Sequence, residues 1–229
     1  MTGKTIFDSK LEAYYQDAIY FGTLIEEYFN NCIQAFVTQD VKQAKELIKA
    51  DKKNDEMQLA LEEKSIRLLA LQSPVASDLR KIVTSIKIFA NLERIGDYAK
   101  HLAKLTVKTN RALFPEFVEP VASMAQQASA MIRDSITAYI NDDEILALDT
   151  AKKDNEIDKL KKSIIAKLIM LQPKNDVEMK QVYRYISIAK DLERLGDHIT
   201  TICEWVVFAS RGEILDLGHL VNSDEEEVT

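Results

Sequence analysis

Two short stretches place acids in the same pattern: "LERIGD" at 92–97 and "LERLGD" at 192–197, one hundred residues apart. Side chains four residues apart lie on one helix face, roughly 5–6 Å apart at Cβ. Glu93 therefore projects with Asp97, and Glu193 with Asp197. Two adjoining carboxylates offer several hard oxygens, a donor set suited to Mg, Mn, Fe(II) or Ca rather than to a soft-ligand ion. Each motif also holds a glycine, Gly96 and Gly196. Inside a helix a glycine costs about 1 kcal/mol relative to alanine. What it offers in return is room beside the acids for a neighbouring helix or a hydrated ion.

A second acidic pair precedes each motif: Asp51 and Asp55 in "DKKND", then Asp154 and Asp158 in "DNEID". Both pairs are again spaced i, i+4. If the helix carrying them runs antiparallel to the motif helix, each repeat assembles four carboxylates. At the hundred-residue offset Asp154 falls opposite Asn54, so the leading pairs stand three residues out of register, nearly one helical turn.

The competing reading is a salt-bridge network, the usual fate of an ExxxD pair on a helix surface. Lys100 and Lys104 continue the first face, whereas Thr200 and Glu204 take those places in the second, with Lys190 upstream. On this pattern the second pair is the less compensated. Arg94 and Arg194 are adjacent in sequence to the glutamates and are expected to point elsewhere, toward another helix. A ferritin-like di-iron site would need ExxH motifs, but residues 96 and 196 are Gly; His101 follows Asp97 by four residues while residue 201 is Thr. The sequence has no nucleophile elbow, P-loop or dinucleotide fingerprint.

The elements that must position these acids are helices. The chain has 229 residues, only six glycines, and four prolines, Pro74, Pro115, Pro120 and Pro173, all at breaks in the periodic pattern. Between the breaks, apolar residues recur at helical spacing, as in Leu11, Tyr14, Tyr15, Ala18 and Ile19. No strand-like alternation of useful length occurs. Ser77 or Asp78 is expected to cap the helix carrying the first motif. The second half repeats the plan, with Leu71–Gln72 matching Leu171–Gln172. The predicted fold is all-α: six long helices in two tandem three-helix bundles, residues 1–112 and 113–212, followed by an acidic, disordered tail at 213–229.

Composition narrows the function. The net charge of −7 belongs largely to the tail, since six of the 37 acids and none of the 30 bases follow Arg211. The body has no basic excess, which argues against a nucleic-acid partner. No window is long and apolar enough for a membrane span. Cys32 and Cys203, far apart, fit reduced, buried thiols. Trp205, Val206 and Phe208, near the end of the last helix, mark either an assembly surface or part of the second bundle's core.

With these motifs in view, the chain resembles the PhoU family of phosphate-signalling proteins. The duplicated ERxGD helices carry the resemblance, together with "QSPVASDLRKI" before the first copy and "CEWVVFASRGEI" after the second. The match covers roughly residues 10–215. "QPKNDVEMK" replaces the first of these segments in the second repeat, so a contact role for Asp78 and Arg80 would belong to the first alone. The resemblance implies two three-helix bundles, a homodimer, and a cytoplasmic, non-enzymatic accessory that restrains the phosphate regulon. Its implied partners are the ATPase subunit of the phosphate ABC transporter and a sensor histidine kinase. It also implies divalent or multinuclear metal, Fe, Mn, Mg or Zn, on Glu93, Asp97, Glu193 and Asp197, and on Asp51, Asp55, Asp154 and Asp158. A carboxylate-bridged metal-dependent enzyme and a metal-free helical scaffold are the alternatives.

Overall fold

The computed structural model describes residues 6–72, 74, 76–109 and 113–218. Among these residues every regular element is helical. In chain order they are α1 (Ile6–Thr38), α2 (Val41–Gln72), α3 (Ala76–Lys108), a 3-10 turn (Pro115–Phe117), α4 (Val118–Asn141), α5 (Glu144–Lys152), α6 (Asp154–Ile169) and α7 (Asp176–Arg211). Six rods were expected. The fifth is broken at Lys153 into α5 and α6, where Lys153 N–H bonds back only three residues, to the Thr150 carbonyl.

The prolines behave as their chemistry requires. Pro115 opens the 3-10 turn, and Pro120 sits in the first turn of α4, where its missing N–H has no intrahelical partner to lose. Caps fix the ends of the second repeat: Asp143 accepts from Leu146 N–H, and Asn175 from the N–H groups of Val177 and Glu178. Gly212, at φ 78°, closes α7 in the left-handed conformation that favours glycine. Ser77 and Asp78 lie inside the first turn of α3, which starts at Ala76, so neither takes the capping place expected of it.

Two bundles, α1–α2–α3 and α4–α5/α6–α7, share one continuous apolar core. They meet along α1 against α4 and α3 against α7. Gly22 makes the first contact possible, because a Cβ there would stand 2.9 Å from Ile136 Cδ1. The second contact is antiparallel and nearly two-fold symmetric. Asn91 Oδ1 meets His198 Nδ1 at 2.9 Å, while the residue matching Asn91 in the second repeat, Asp191, meets His101 Nδ1 at 2.6 Å. Tyr98 and His198 occupy matching positions and place their rings 5.8 Å apart.

Burial also resolves the register of the acidic pairs. Ala44, Asn54, Leu61 and Ser65 are buried on α2; Ala147, Ile157, Ile164 and Leu168 are buried on α5 and α6. From Ala44 to Ala147 the offset is 103, not 100, and it holds along the rod. Asp51 and Asp55 therefore do correspond to Asp154 and Asp158.

Of Trp205, Val206 and Phe208, Val206 lies in the core and Trp205 packs against it. Val206 is buried, and the half-buried Trp205 packs edge-on to Phe208 beneath the Lys87 ammonium. Cys32 and Cys203 are free and buried. Of the expected tail, residues 213–218 are described: Leu217 is buried and its N–H donates to Glu204. Residues 219–229, with His219 and the acidic run, lie outside the described residues. No helix among the described residues is long and apolar enough to cross a membrane.

Candidate functional site

Each leading acidic pair lies on a helix packed against the motif helix of its own repeat. In the first repeat α2 supplies Asp51 and Asp55, and α3 supplies Glu93 and Asp97. Asp51 is only 1% exposed. Its counter-charge comes across the helix pair: Lys100 Nζ stands 2.5 Å from Asp51 Oδ2 and 3.9 Å from Asp97 Oδ1. Burial raises the Asp51 carboxyl above its ordinary range while the Lys100 ammonium pulls it back. The hydrogen bond to Asp51 in turn holds Lys100 above its usual value. Glu93 is raised by burial and then by the neighbouring charge of Asp97. Arg94 does not leave this face, as the sequence suggested. Its guanidinium lies 3.5 Å from both Glu93 Oε2 and Asp97 Oδ2, because a long side chain can fold back along its own helix.

In the second repeat α6 supplies Asp154 and Asp158, and α7 supplies Glu193 and Asp197. Residue 200 is Thr, and the cation comes instead from α6. Lys161 Nζ lies 2.7 Å from Glu193 Oε1 and 3.1 Å from Asp158 Oδ1. Burial alone would lower Lys161, but its hydrogen bonds to Glu193 and Asp158 outweigh that and hold it higher. The sequence pattern considered only cations on the motif helix, and so it missed this one. Lys161, Lys190, Glu193, Arg194 and Asp197 line an open cleft of about 310 Å³. Arg194 thus also stays with the carboxylates.

Asp154 is the outlier. Its Oδ1 is fully buried and has neither a hydrogen-bond partner nor an ion pair among the described residues, whereas the likewise buried Asp51 Oδ2 has the Lys100 ammonium at 2.5 Å. Burial, followed by the charges of Asp197, Asp158 and Glu193, pushes its carboxyl up to about 7. Gly196 explains how it fits: a Cβ at that position would stand 2.2 Å from Asp154 Oδ1. Gly96 has no such neighbour, and its nearest contact is Ile25 Cδ1 at 3.4 Å.

The two repeats therefore bring all eight expected carboxylates into two faces. As placed, no three acidic, histidine or cysteine side chains among the described residues converge on one point suited to an ion. The donor types nonetheless fit a hard cation, and the unpartnered Asp154 oxygen makes the second face the better match. His101 and His198 serve the α3–α7 seam. Burial lowers His198, and burial raises Asp191 despite the His101 ring beside it.

The PhoU domain model matches residues 21–106 and again 121–206, one copy on each bundle. The chain belongs to the PhoU family. A phosphate-specific transport system accessory protein PhoU homolog from Clostridium acetobutylicum is 35% identical over 218 residues, which are 95% of this chain and 99% of that relative. A protein of the same description from Pseudomonas putida is 30% identical, over 93% of this chain and 83% of the relative. Among solved structures, the phosphate transport system regulatory protein PhoU from Streptococcus pneumoniae superposes with a TM-score of 0.85 at 29% identity, covering 92% of this chain and 99% of that one. PhoU from Pseudomonas aeruginosa gives 0.81 at 28% identity, over 90% and 100%. These relatives are named as accessory and regulatory proteins rather than as enzymes.

Proposed function

We propose that the chain is a cytoplasmic accessory of a phosphate ABC transporter that restrains uptake and phosphate-regulon signalling when phosphate is ample. It does so as a homodimer, by contacting the transporter's ATPase subunit and a sensor histidine kinase. The observation that carries the reading is the pair of PhoU domains spanning both bundles, together with relatives of nearly the same length that are named for phosphate transport. The test is capture of each partner by the full chain. Retention of the ATPase subunit and the kinase is expected, and failure to retain either contradicts the proposal. Light scattering should give about twice the 26.0 kDa chain mass.

Within this role the carboxylate faces bind a divalent or multinuclear metal, the second face ahead of the first. The buried, unpartnered oxygen of Asp154 favours this reading over a purely structural scaffold. Asp154, Asp158, Glu193 and Asp197 would hold the ion and Lys161 would yield its place. The ion would supply positive charge that stiffens α6 against α7.

A further inference from the structure

We propose that the acidic run Asp224–Glu227 docks on the exposed cations Lys190 and Arg194 of its own chain, as a strap over the open cleft of the second carboxylate face. Of the three cations that line this cleft, Lys161 is committed to Glu193 and Asp158. Lys190 and Arg194 are exposed and form no ion pair or side-chain hydrogen bond among the described residues. They outnumber Asp197, the remaining acid of the cleft. Two uncommitted cations at the mouth of a cleft attract an anionic segment.

The chain is already turned toward them. After Arg211 it doubles back along α7: Leu217 is buried, its N–H donates to Glu204 Oε1 at 2.9 Å, and the Gly218 N–H meets the same carboxylate. Glu204, Asp197, Glu193 and Lys190 follow one another at helical spacing on one side of α7. Arg194 stands about 15 Å, and Lys190 about 21 Å, before Glu204 along the helix. An extended chain leaving Gly218 covers about 20 Å to Asp224 and about 30 Å to Glu227. The acids therefore reach both cations, but not the lysine at the start of α7, Lys180, about 36 Å from the anchor. Anchoring at Glu204 makes the contact intramolecular and holds the acids near the cleft at millimolar effective concentration.

The first repeat lacks both halves of this contact. Arg94 is closed onto Glu93 and Asp97, and Ala90 takes the place of Lys190. Residues 109–120, which follow α3, hold Glu116 and Glu119 but no acidic run. Of the two faces, the one with uncommitted cations is the one that an acidic segment follows. Docked there, the strap covers the mouth of the cleft, and whatever enters the second face has to displace it. The contact rests on these charges and not on a bound ion.

The test attaches a nitroxide to Ser223→Cys in the full chain, with a chelator present so that no ion takes part. Cys32 and Cys203 are buried, so the label goes to residue 223. At low salt the nitroxide is expected to broaden the amide resonances of Arg194 and Lys190 and to spare that of Lys180. Lys190→Gln with Arg194→Gln, both at exposed positions, is expected to lower that broadening by about half or more, as is about 1 M salt, which screens charges beyond about 3 Å. Neutralising the tail, by Asp224→Asn with Glu225→Gln, Glu226→Gln and Glu227→Gln, is expected to do the same. The proposal is overturned if Arg194 and Lys190 are not broadened, or if the broadening survives the paired substitution or the salt. It is also overturned if the broadening passes between chains in a mixture of spin-labelled and isotope-labelled protein, which would place the tail on a second copy.

Discussion

The first and second carboxylate faces use the same acids at the same structural positions and balance them differently. In the first, the most buried acid, Asp51, has a lysine at 2.5 Å from the facing helix, and Arg94 covers the exposed pair. In the second, Lys161 serves Asp158 and Glu193, and the most buried oxygen, on Asp154, has no counter-charge of its own. Duplication has kept the carboxylates and moved the cation. Two positions carry the exchange, Lys100 against Thr200 and Gln58 against Lys161, and they shift the lysine from the most buried carboxylate to more exposed ones.

Removing the cations separates the faces most sharply. Lys100→Met strips the partner from a nearly inaccessible carboxylate, and breaking a buried pair from one side costs about 3 kcal/mol or more. Lys161→Met acts at a wetter site and is expected to lose roughly 1 kcal/mol or less. Urea denaturation at pH 8 measures both, and equal losses would mean that the two faces are balanced alike.

The next effect is pH dependence. The Asp154 carboxyl is raised in the folded protein to about 7, from its ordinary 3.8. The folded chain therefore holds a proton that the unfolded chain has already released. Its contribution to stability is full below about 4, falls as pH rises through about 7, and is gone above. Asp154→Asn keeps the neutral form at every pH. It should raise stability at pH 8 by roughly 2 kcal/mol, less than the full shift implies because Asp197, itself raised by burial, is coupled to it. At pH 4 the variant and the parent should agree. A variant that gains equally at both pH values would remove titration as the cause.

The glycines give a smaller effect of opposite sign in the two faces. Gly196→Ala drives a methyl group into Asp154 and is expected to lose about 1–2 kcal/mol. Gly96→Ala meets only Ile25 at the edge of normal contact and should gain about 0.5 kcal/mol from helix propensity. Thermal melting of the two variants shows whether the signs differ.

The rods, their breaks and the carboxylate pairs were legible because helical periodicity and proline act locally. What escaped the sequence depends on geometry between helices. Lys153 breaks a rod with no proline or glycine beside it, and the 103-residue register shows only in which residues are buried. Arg94 and Lys161 are long side chains whose reach, not their position in the helical wheel, decides which acids they meet. Asn91 and Asp191 carry no motif, and only the antiparallel crossing of α3 and α7 sets them opposite histidines. Trp205 could be read either way because part of its covering, Lys87, comes from the other bundle.

The most direct test of unequal faces is thermal melting with added Mn or Mg. It needs the parent, Glu93→Gln with Asp97→Asn, and Glu193→Gln with Asp197→Asn. An ion bound only by the folded chain raises the melting temperature by mass action, by about 2–4 °C for each kcal/mol gained in a chain of this size. The expected result is a rise in the parent and in the first double variant, and its loss in the second. No metal-dependent rise in the parent, or loss only in the first double variant, would contradict the ranking of the two faces.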